Sequence, residues 1–475
     1  MPNAVELKGK RVLVVGLART GVATALFCAG HGAHVTATDR RPENELGDAP
    51  ATLRAAGVHM KFGVLADEFF FAQDLIIPSP GVPADIPQLM AARAEGGIIW
   101  SEIELASRFL LGKLIAITGS NGKTTTTSLV AHILRSAGFS TILGGNIGTP
   151  LIACVASSRD DSVTVAELSS FQLELIQTFR PNISVFLNLT PDHLDRHRTL
   201  ANYAAAKSRI FENQTERDFA LLNADDPAVT PLAPMRPQVF WFSRKQRVRQ
   251  GAFVKDAQIF FRRDGEEESL LRVADISLVG AHNLENVLAA VAAAKLAGVA
   301  TSEIAKAVKK FAGVEHRLEF VAEISGVRYY NDSKATNVDA TRKALEAFPG
   351  RILIILGGKD KDSDYAPLRQ ALSARATLAL LIGDTAEKIA QQINGSTAIA
   401  QAGTLERAVE IAERTAKPGD IVLLAPACAS FDQFENYEHR GRVFKELVKQ
   451  REQKSASISD AVKPEGKANK SAETA

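Results

Sequence analysis

ITGSNGKTTTT (117–127) follows the apolar run Leu114–Ile117 and leads into Ser128–Leu134, where apolar residues recur at helical spacing. A buried strand, a glycine turn and a helix opening on Gly-Lys-Thr are the parts of a phosphate cradle. The usual loop is G-x-x-x-x-G-K-[ST]. Here Ile117 stands where its first glycine would be, leaving the shorter Gly119-Ser120-Asn121-Gly122-Lys123-Thr124. The glycines let backbone N–H groups turn onto phosphate oxygens, Lys123 suits the β/γ charge, and Thr124 offers a hydroxyl to Mg²⁺. The plainer alternative is a tight turn with a solvated lysine.

Phosphoryl chemistry also needs an acidic metal ligand. VTVAELSS (163–170) puts Glu167 at the end of a buried strand, where α/β proteins gather their ligands. A carboxylate after such a run is costly unless a cation meets it, which makes Glu167 a Mg²⁺ candidate. NLTPDHLDRH (188–197) follows another strand and fits either a metal site or a charged loop. Beyond it Leu200, Tyr203, Ala204, Ile210 and Phe211 form one helical stripe with Lys207 in its middle. Such a lysine either snorkels to solvent or is desolvated into a neutral amine able to capture CO₂ as a carbamate.

Nearer the N-terminus, VVGLARTG (14–21) follows a strand, and Asp39 closes the next one. The spacing imitates a dinucleotide fingerprint, but Ala18 replaces the glycine that lets a pyrophosphate approach. It speaks against a nicotinamide dehydrogenase. It fits a Rossmann-like pocket for another nucleotide diphosphate, with Asp39, Arg40 and Arg41 beside it, or a purely structural turn.

The chain of 475 residues is long for one core, and its strands alternate with helices throughout, which predicts α/β architecture with parallel sheets. We divide it at 1–103, 104–313 and 314–452, with a polar, apolar-poor stretch at 453–475 that reads as a disordered tail. The formal charge of +2 gives no argument for nucleic acid or an acidic membrane. Three dispersed cysteines, no apolar run of membrane-spanning length and no signal-like start point to a cytoplasmic protein. No exposed heptad is evident, so a monomer is expected.

EHRLE (315–319), YNDSKATN (330–337) and ACASFDQFENYEHRG (427–441), taken with TGSNGKT, GGNIG (144–148), ELSSFQLE (167–174) and DHLDRH, resemble the Mur ligase family, and within it the branch that adds D-glutamate. The resemblance covers nearly the whole chain. It implies a Rossmann-like N-terminal domain for the UDP substrate, a central P-loop ATPase domain with a mostly parallel sheet, and a Rossmann-like C-terminal domain for the amino acid. It implies ATP, D-glutamate and UDP-N-acetylmuramoyl-L-alanine as substrates, two Mg²⁺ ions, and a carbamylated Lys207. ATP would meet Gly119, Ser120, Asn121, Gly122, Lys123, Thr124 and Thr125, with Asn283, Asn286, Arg317 and Asp332. The UDP substrate would meet Arg19, Thr20, Asp39, Arg40, Arg41, Gly81, Asn146 and His193. D-Glutamate would meet Lys334, Thr336, Lys361, Ser430 and Tyr437, and the metals Thr124, Glu167, His193 and Lys207. The catalytic roles fall to Lys123, His193 and Lys207.

Overall fold

The computed structural model describes residues 5–63, 67–360 and 362–461, and for Glu68 and 454–461 only the backbone. It contains three sheets. In the first, β1 (Arg11–Val15), β2 (His34–Asp39), β3 (His59–Phe62) and β4 (Leu75–Pro78) run parallel in the order β3-β2-β1-β4. RVLVVG (11–16), HVTATD (34–39) and DLIIPSPG (74–81) supply β1, β2 and β4, and the helix Arg19–Gly30 follows β1.

The second sheet holds β5 (Lys113–Thr118), β6 (Thr141–Gly145), β7 (Val163–Glu167), β8 (Ile183–Phe186), β9 (Phe219–Asn223), β10 (Gln238–Ser243), β11 (Gly251–Lys255), β12 (Gln258–Arg263) and β13 (Glu266–Arg272). Their order is β13-β12-β11-β10-β9-β8-β5-β7-β6. It is parallel from β6 across to β11, and β12 and β13 return antiparallel. The charged, less regular segment 236–275 therefore extends the same sheet. β5 lies between β7 and β8: the chain leaves it for β6 and β7 on one side and then crosses to β8 and β9 on the other, so the loop after β5 opens at a topological switch point, the ligand-bearing crevice of such sheets.

The third sheet comprises β14 (Glu319–Ile324), β15 (Val327–Asn331), β16 (Ile352–Gly357), β17 (Ala376–Ile382), β18 (Ala398–Gly403) and β19 (Ile421–Leu424), ordered β14-β15-β19-β16-β17-β18. Only β14 is antiparallel to its neighbour.

By its internal contacts the chain forms two compact units. One runs to Leu278 and takes in Asn283–Ala312; the other holds Val279–His282 and the chain from Gly313. The first two sheets share the first unit, where Val14 and Ile77 belong to one apolar core with Ala116 and Phe186. The helix Ala281–Ala297 ends at Gly298, whose φ of 99° is the left-handed conformation a glycine helix stop takes. The helix Tyr437–Ala461 runs past Glu452 into the stretch read as a tail, because alanines and serines there continue a helix already begun; 462–475 lie outside the described residues. Among the described residues no helix is long and apolar enough to cross a membrane.

Candidate active site

The phosphate loop leaves β5 through two glycines in the left-handed region. At Gly119 (φ 146°) an added Cβ would come 2.9 Å from Leu187 Cβ, and Gly122 (φ 84°) opens the helix Lys123–Ser136. The segment after β8 clasps the loop. Asn121 N–H donates to Asn188 Oδ1 at 2.8 Å, and Asn188 Nδ2 donates back to Asn121 O at 3.0 Å. Ser120 Oγ donates to Thr190 O at 2.9 Å and accepts from Thr190 N–H at 3.0 Å. Lys123 Nζ curls back onto Gly119 O and Ser120 O, both at 2.8 Å. Thr125 lies buried in the first helical turn. Thr126 Oγ1 donates to Asn286 Oδ1 at 3.3 Å, and Asn286 Nδ2 donates to Asn283 Oδ1 at 3.1 Å, so both asparagines expected at the nucleotide stand at this loop.

Glu167 is buried at the end of β7. Its Oε2 accepts from Thr124 Oγ1 at 2.8 Å and its Oε1 from Asn146 Nδ2 at 2.9 Å. Both donors are neutral, and a buried carboxylate so held calls for positive charge nearby. The oxygens of Glu167 and Thr124 suit Mg²⁺. Asn146, expected at the sugar nucleotide, thus also orients the metal candidate.

Lys207 does not snorkel. It is 1% exposed, with Nζ donating to Gly119 O at 2.9 Å and Thr118 Oγ1 at 3.4 Å, and it lies 4.7 Å over the Tyr203 ring. Burial, and then the nearby charge of Lys123, push its pKa well below the usual amine value against the pull of Asp192 and Glu167. The stripe reading needs one correction: Leu200 is 37% exposed. The helix Leu200–Ser208 begins at the surface and tightens into a 3₁₀ turn at Arg209–Phe211, which carries Ile210 and Phe211 into the core.

DHLDRH divides. His193 adopts a left-handed conformation (φ 52°) ahead of the helix Leu194–His197, half-exposed, its ring 4.9 Å from Phe171 and 6.5 Å from Tyr203. Tyr203 is therefore a shared neighbour of His193 and Lys207. His197 is buried instead, its Nε2 2.9 Å from Ser170 Oγ. Among the described residues only Glu315, His316 and Glu319 group three metal-type ligand atoms, and Lys445 Nζ already meets both carboxylates there at 2.6 and 2.9 Å.

In the first sheet the loops after β1 and β4 meet. Ser79 Oγ donates to Gly16 O at 2.7 Å, and a Cβ on Gly21 would fall 1.8 Å from Gly16 O, so only glycine lets the helix Arg19–Gly30 start so close. Asp39 is engaged locally. It accepts from Leu17 N–H at 2.7 Å and from Arg41 N–H, Nε and Nη2, each at 3.0 Å. Burial works against its ionisation, but the Arg41 side chain and the two backbone N–H groups hold it down at about 2. Asp39 and Arg41, expected at the UDP substrate, meet each other at this crevice. Arg19, Arg40 and Gly81 are exposed at its rim, and Thr20 O accepts from Thr24 Oγ1 at 2.8 Å.

In the second unit Asp332 is pushed up to about 7 by burial, opposed by the charge of Arg317 and the Leu318 N–H. Lys334 Nζ lies 3.6 Å over the Tyr437 ring, and Thr336 N–H donates to Lys334 O at 2.8 Å. Ser430 is buried, and its carbonyl accepts from Phe434 N–H at 2.8 Å. Lys361 lies outside the described residues. Sequence reasoning missed Arg440, which is wholly buried. Its guanidinium donates to Ser333 Oγ (3.0 Å) and Ser333 O (2.8 Å), and to Cys428 O (3.2 Å) and Ala429 O (3.2 Å). One side chain thus ties the NDSKATN turn to the turn bearing Ser430. It also missed Asn188 and Thr190, though a polar pair just past a strand end was the available signal.

Three family models match: a Mur ligase MurD-like N-terminal domain over residues 10–101, a Mur ligase middle domain over 117–294, and a Mur ligase glutamate ligase domain over 316–428. The chain belongs to the Mur ligase family. It is 56% identical over 447 residues to a protein of Acidobacterium capsulatum named UDP-N-acetylmuramoylalanine–D-glutamate ligase, covering 93% of this chain and 97% of that one. A relative of the same name from Koribacter versatilis is 54% identical over 445 residues, covering 94% and 98%. Among solved structures, a pseudomurein peptide ligase type C from Methanothermus fervidus aligns with a TM-score of 0.59 at 19% identity, over 93% of this chain and all of that one (100%). The MurF ligase of Thermotoga maritima in complex with ADP gives 0.58 at 16% identity, over 95% and 98%; both likenesses speak for the fold alone.

Proposed function

We propose that this chain is the ATP-dependent ligase that joins D-glutamate to UDP-N-acetylmuramoyl-L-alanine, releasing ADP and phosphate, a step of peptidoglycan precursor synthesis. The similarity to proteins of that name along nearly the whole chain supports the substrates. The observation that carries the chemistry is the meeting of Lys123, Thr124, Glu167 and the buried Lys207 around one glycine loop.

The substrate carboxylate attacks the γ-phosphorus of ATP, forming an acyl phosphate and ADP. The neutral amine of D-glutamate then adds to the acyl carbon and loses a proton to water, and phosphate leaves as the amide forms. The first step brings anion to anion, so Lys123 must leave the loop carbonyls for the phosphate oxygens as ATP binds. Loop N–H groups and the helix start complete that cradle. Thr124 and Glu167 would hold one Mg²⁺, and His193 with Lys207 a second, neutralising charge on the transferring phosphoryl group. For Lys207 to serve there it must become an anion. Its neutral amine adds to CO₂ and loses a proton, giving a carbamate. Lys334, Thr336, Ser430, Tyr437 and Lys361 would take D-glutamate, whose two carboxylates suit lysine charges. Arg317 and Asp332 would meet ATP, and the crevice at Arg19, Thr20, Asp39, Arg40, Arg41 and Gly81 the uridine diphosphate, with Asn146 and His193 toward the sugar. We place the protein in the cytoplasm, as a monomer.

The test is phosphate release from ATP with UDP-N-acetylmuramoyl-L-alanine present, offering D-glutamate, L-glutamate, L-lysine and meso-diaminopimelate in turn. Release with D-glutamate alone supports the reading. Release with another amino acid reassigns the second unit's site, and none with any overturns the reaction.

A further inference from the structure

Arg196 shares the short helix Leu194–His197 with the metal-candidate loop of the second sheet, yet its guanidinium reaches the first sheet. Nη1 donates to Pro80 O at 2.7 Å and Nη2 to Val82 O at 3.2 Å, bracketing Gly81. Nη2 also donates to Glu174 Oε2 at 2.5 Å, and the guanidinium lies 4.1 Å over the Phe171 ring. That ring in turn packs edge-on against His193, with centroids 4.9 Å apart. On the other side Ser79 fastens the β4 loop to Gly16. Arg196 and Glu174 are 14% and 17% exposed, so the fork is shielded from water and its geometry is held.

From this we infer that Arg196 is a positioning residue that sets the register between the nucleotide end and the reacting end of the sugar-nucleotide substrate. The inference rests on the function proposed above. A substrate that binds its uridine diphosphate at Gly81 and presents its carboxylate near His193 must span the gap this one side chain fixes. An ångström of misplacement costs a reaction on the order of a hundredfold. A lysine keeps the charge for Glu174 but has no rigid fork for two carbonyls.

The experiment compares wild type, Arg196→Lys, Phe171→Leu and Arg198→Ala. Arg198 meets Asp85 across the same gap, but at 3.5 Å with side chains 78% and 63% exposed, so it serves as the control. Arg196→Lys is expected to raise the KM for UDP-N-acetylmuramoyl-L-alanine and lower kcat, each roughly tenfold. Its KM for ATP, its affinity for UDP alone and its thermal midpoint should stay near wild type. Phe171→Leu should lower kcat in the same sense, and Arg198→Ala should change nothing. Unaltered kinetics in Arg196→Lys overturn the role, as does a parallel loss of UDP affinity, ATP affinity and thermal midpoint. A wild type that forms no product counts against the proposed function, whereas an active wild type beside an unaltered Arg196→Lys counts against the positioning role.

Discussion

Gly122 and Asn286 stand so close that a Cβ built on the glycine would lie 2.2 Å from Asn286 Oδ1. The phosphate loop and the helix Ala281–Ala297 are thus fitted to each other at a residue with no side chain. Gly122→Ala meets this clash and a φ of 84°, a conformation that costs an L-residue roughly 1–2 kcal/mol by itself. We expect ATP affinity to fall at least tenfold, read by nucleotide titration. Asn286→Ala in the same chain should relieve the clash but not the backbone strain, so partial recovery of folding without recovery of ATP binding is the outcome that fits.

Lys207 gives a second prediction. Lys207→Ala removes the amine buried beside Gly119 and should lower phosphate release on the order of a hundredfold, while added short carboxylic acids restore part of it by filling the space with an anion. Full activity without rescue would remove the carbamate.

Glu102 supplies a pH prediction outside the site. It is 1% exposed, its Oε1 accepts from Ile152 N–H at 2.6 Å, and its Oε2 has no partner among the described residues. Burial raises it from 4.5 to about 7, against the pull of the Ile152 N–H, the Gln172 side chain and the Leu151 N–H. Below about 4.5 it is protonated folded or unfolded and costs nothing. As pH rises toward 7 the unfolded chain ionises first, and the folded state loses roughly 3 kcal/mol. Glu102→Gln should therefore be more stable than wild type at pH 8 and not at pH 4. Denaturant midpoints at the two pH values read this, and an equal difference at both would contradict it.

Arg440→Lys keeps a charge but not the fork that serves Ser333, Cys428 and Ala429. Leaving buried carbonyls without donors should cost about 2–3 kcal/mol in urea unfolding. Because the residue ties together the turns of Lys334 and Ser430, the KM for D-glutamate should rise more than that for ATP.

Much of this was legible beforehand. β1, β2, β5, β7, β8, β16 and β19 coincide closely with apolar runs bounded by glycine, proline or charge, since a strand buried on both faces needs such a run. Thr124 and Glu167 could be paired as candidates because one opens the helix after the glycine turn of β5 and the other closes β7. β14, β15 and β18 carry mixed patterns at or near a sheet edge and were not separable from loops. The position of Asp39 in a fingerprint places it near a nucleotide; that its carboxylate also accepts from Leu17 N–H and Arg41 follows from how the chain folds back after β2.

The sequence by itself determined the alternation of strand and helix, the glycine turns, and which chemical groups stand near strand ends, because these depend on residues adjacent along the chain. Only the tertiary structure decided that Lys207 is buried rather than snorkelled, that Asn286 closes over Gly122, and that Arg196 and Arg440 each join two distant turns. Those outcomes depend on which surfaces exclude water together. A long polar side chain carries no local sign of the carbonyls it will meet.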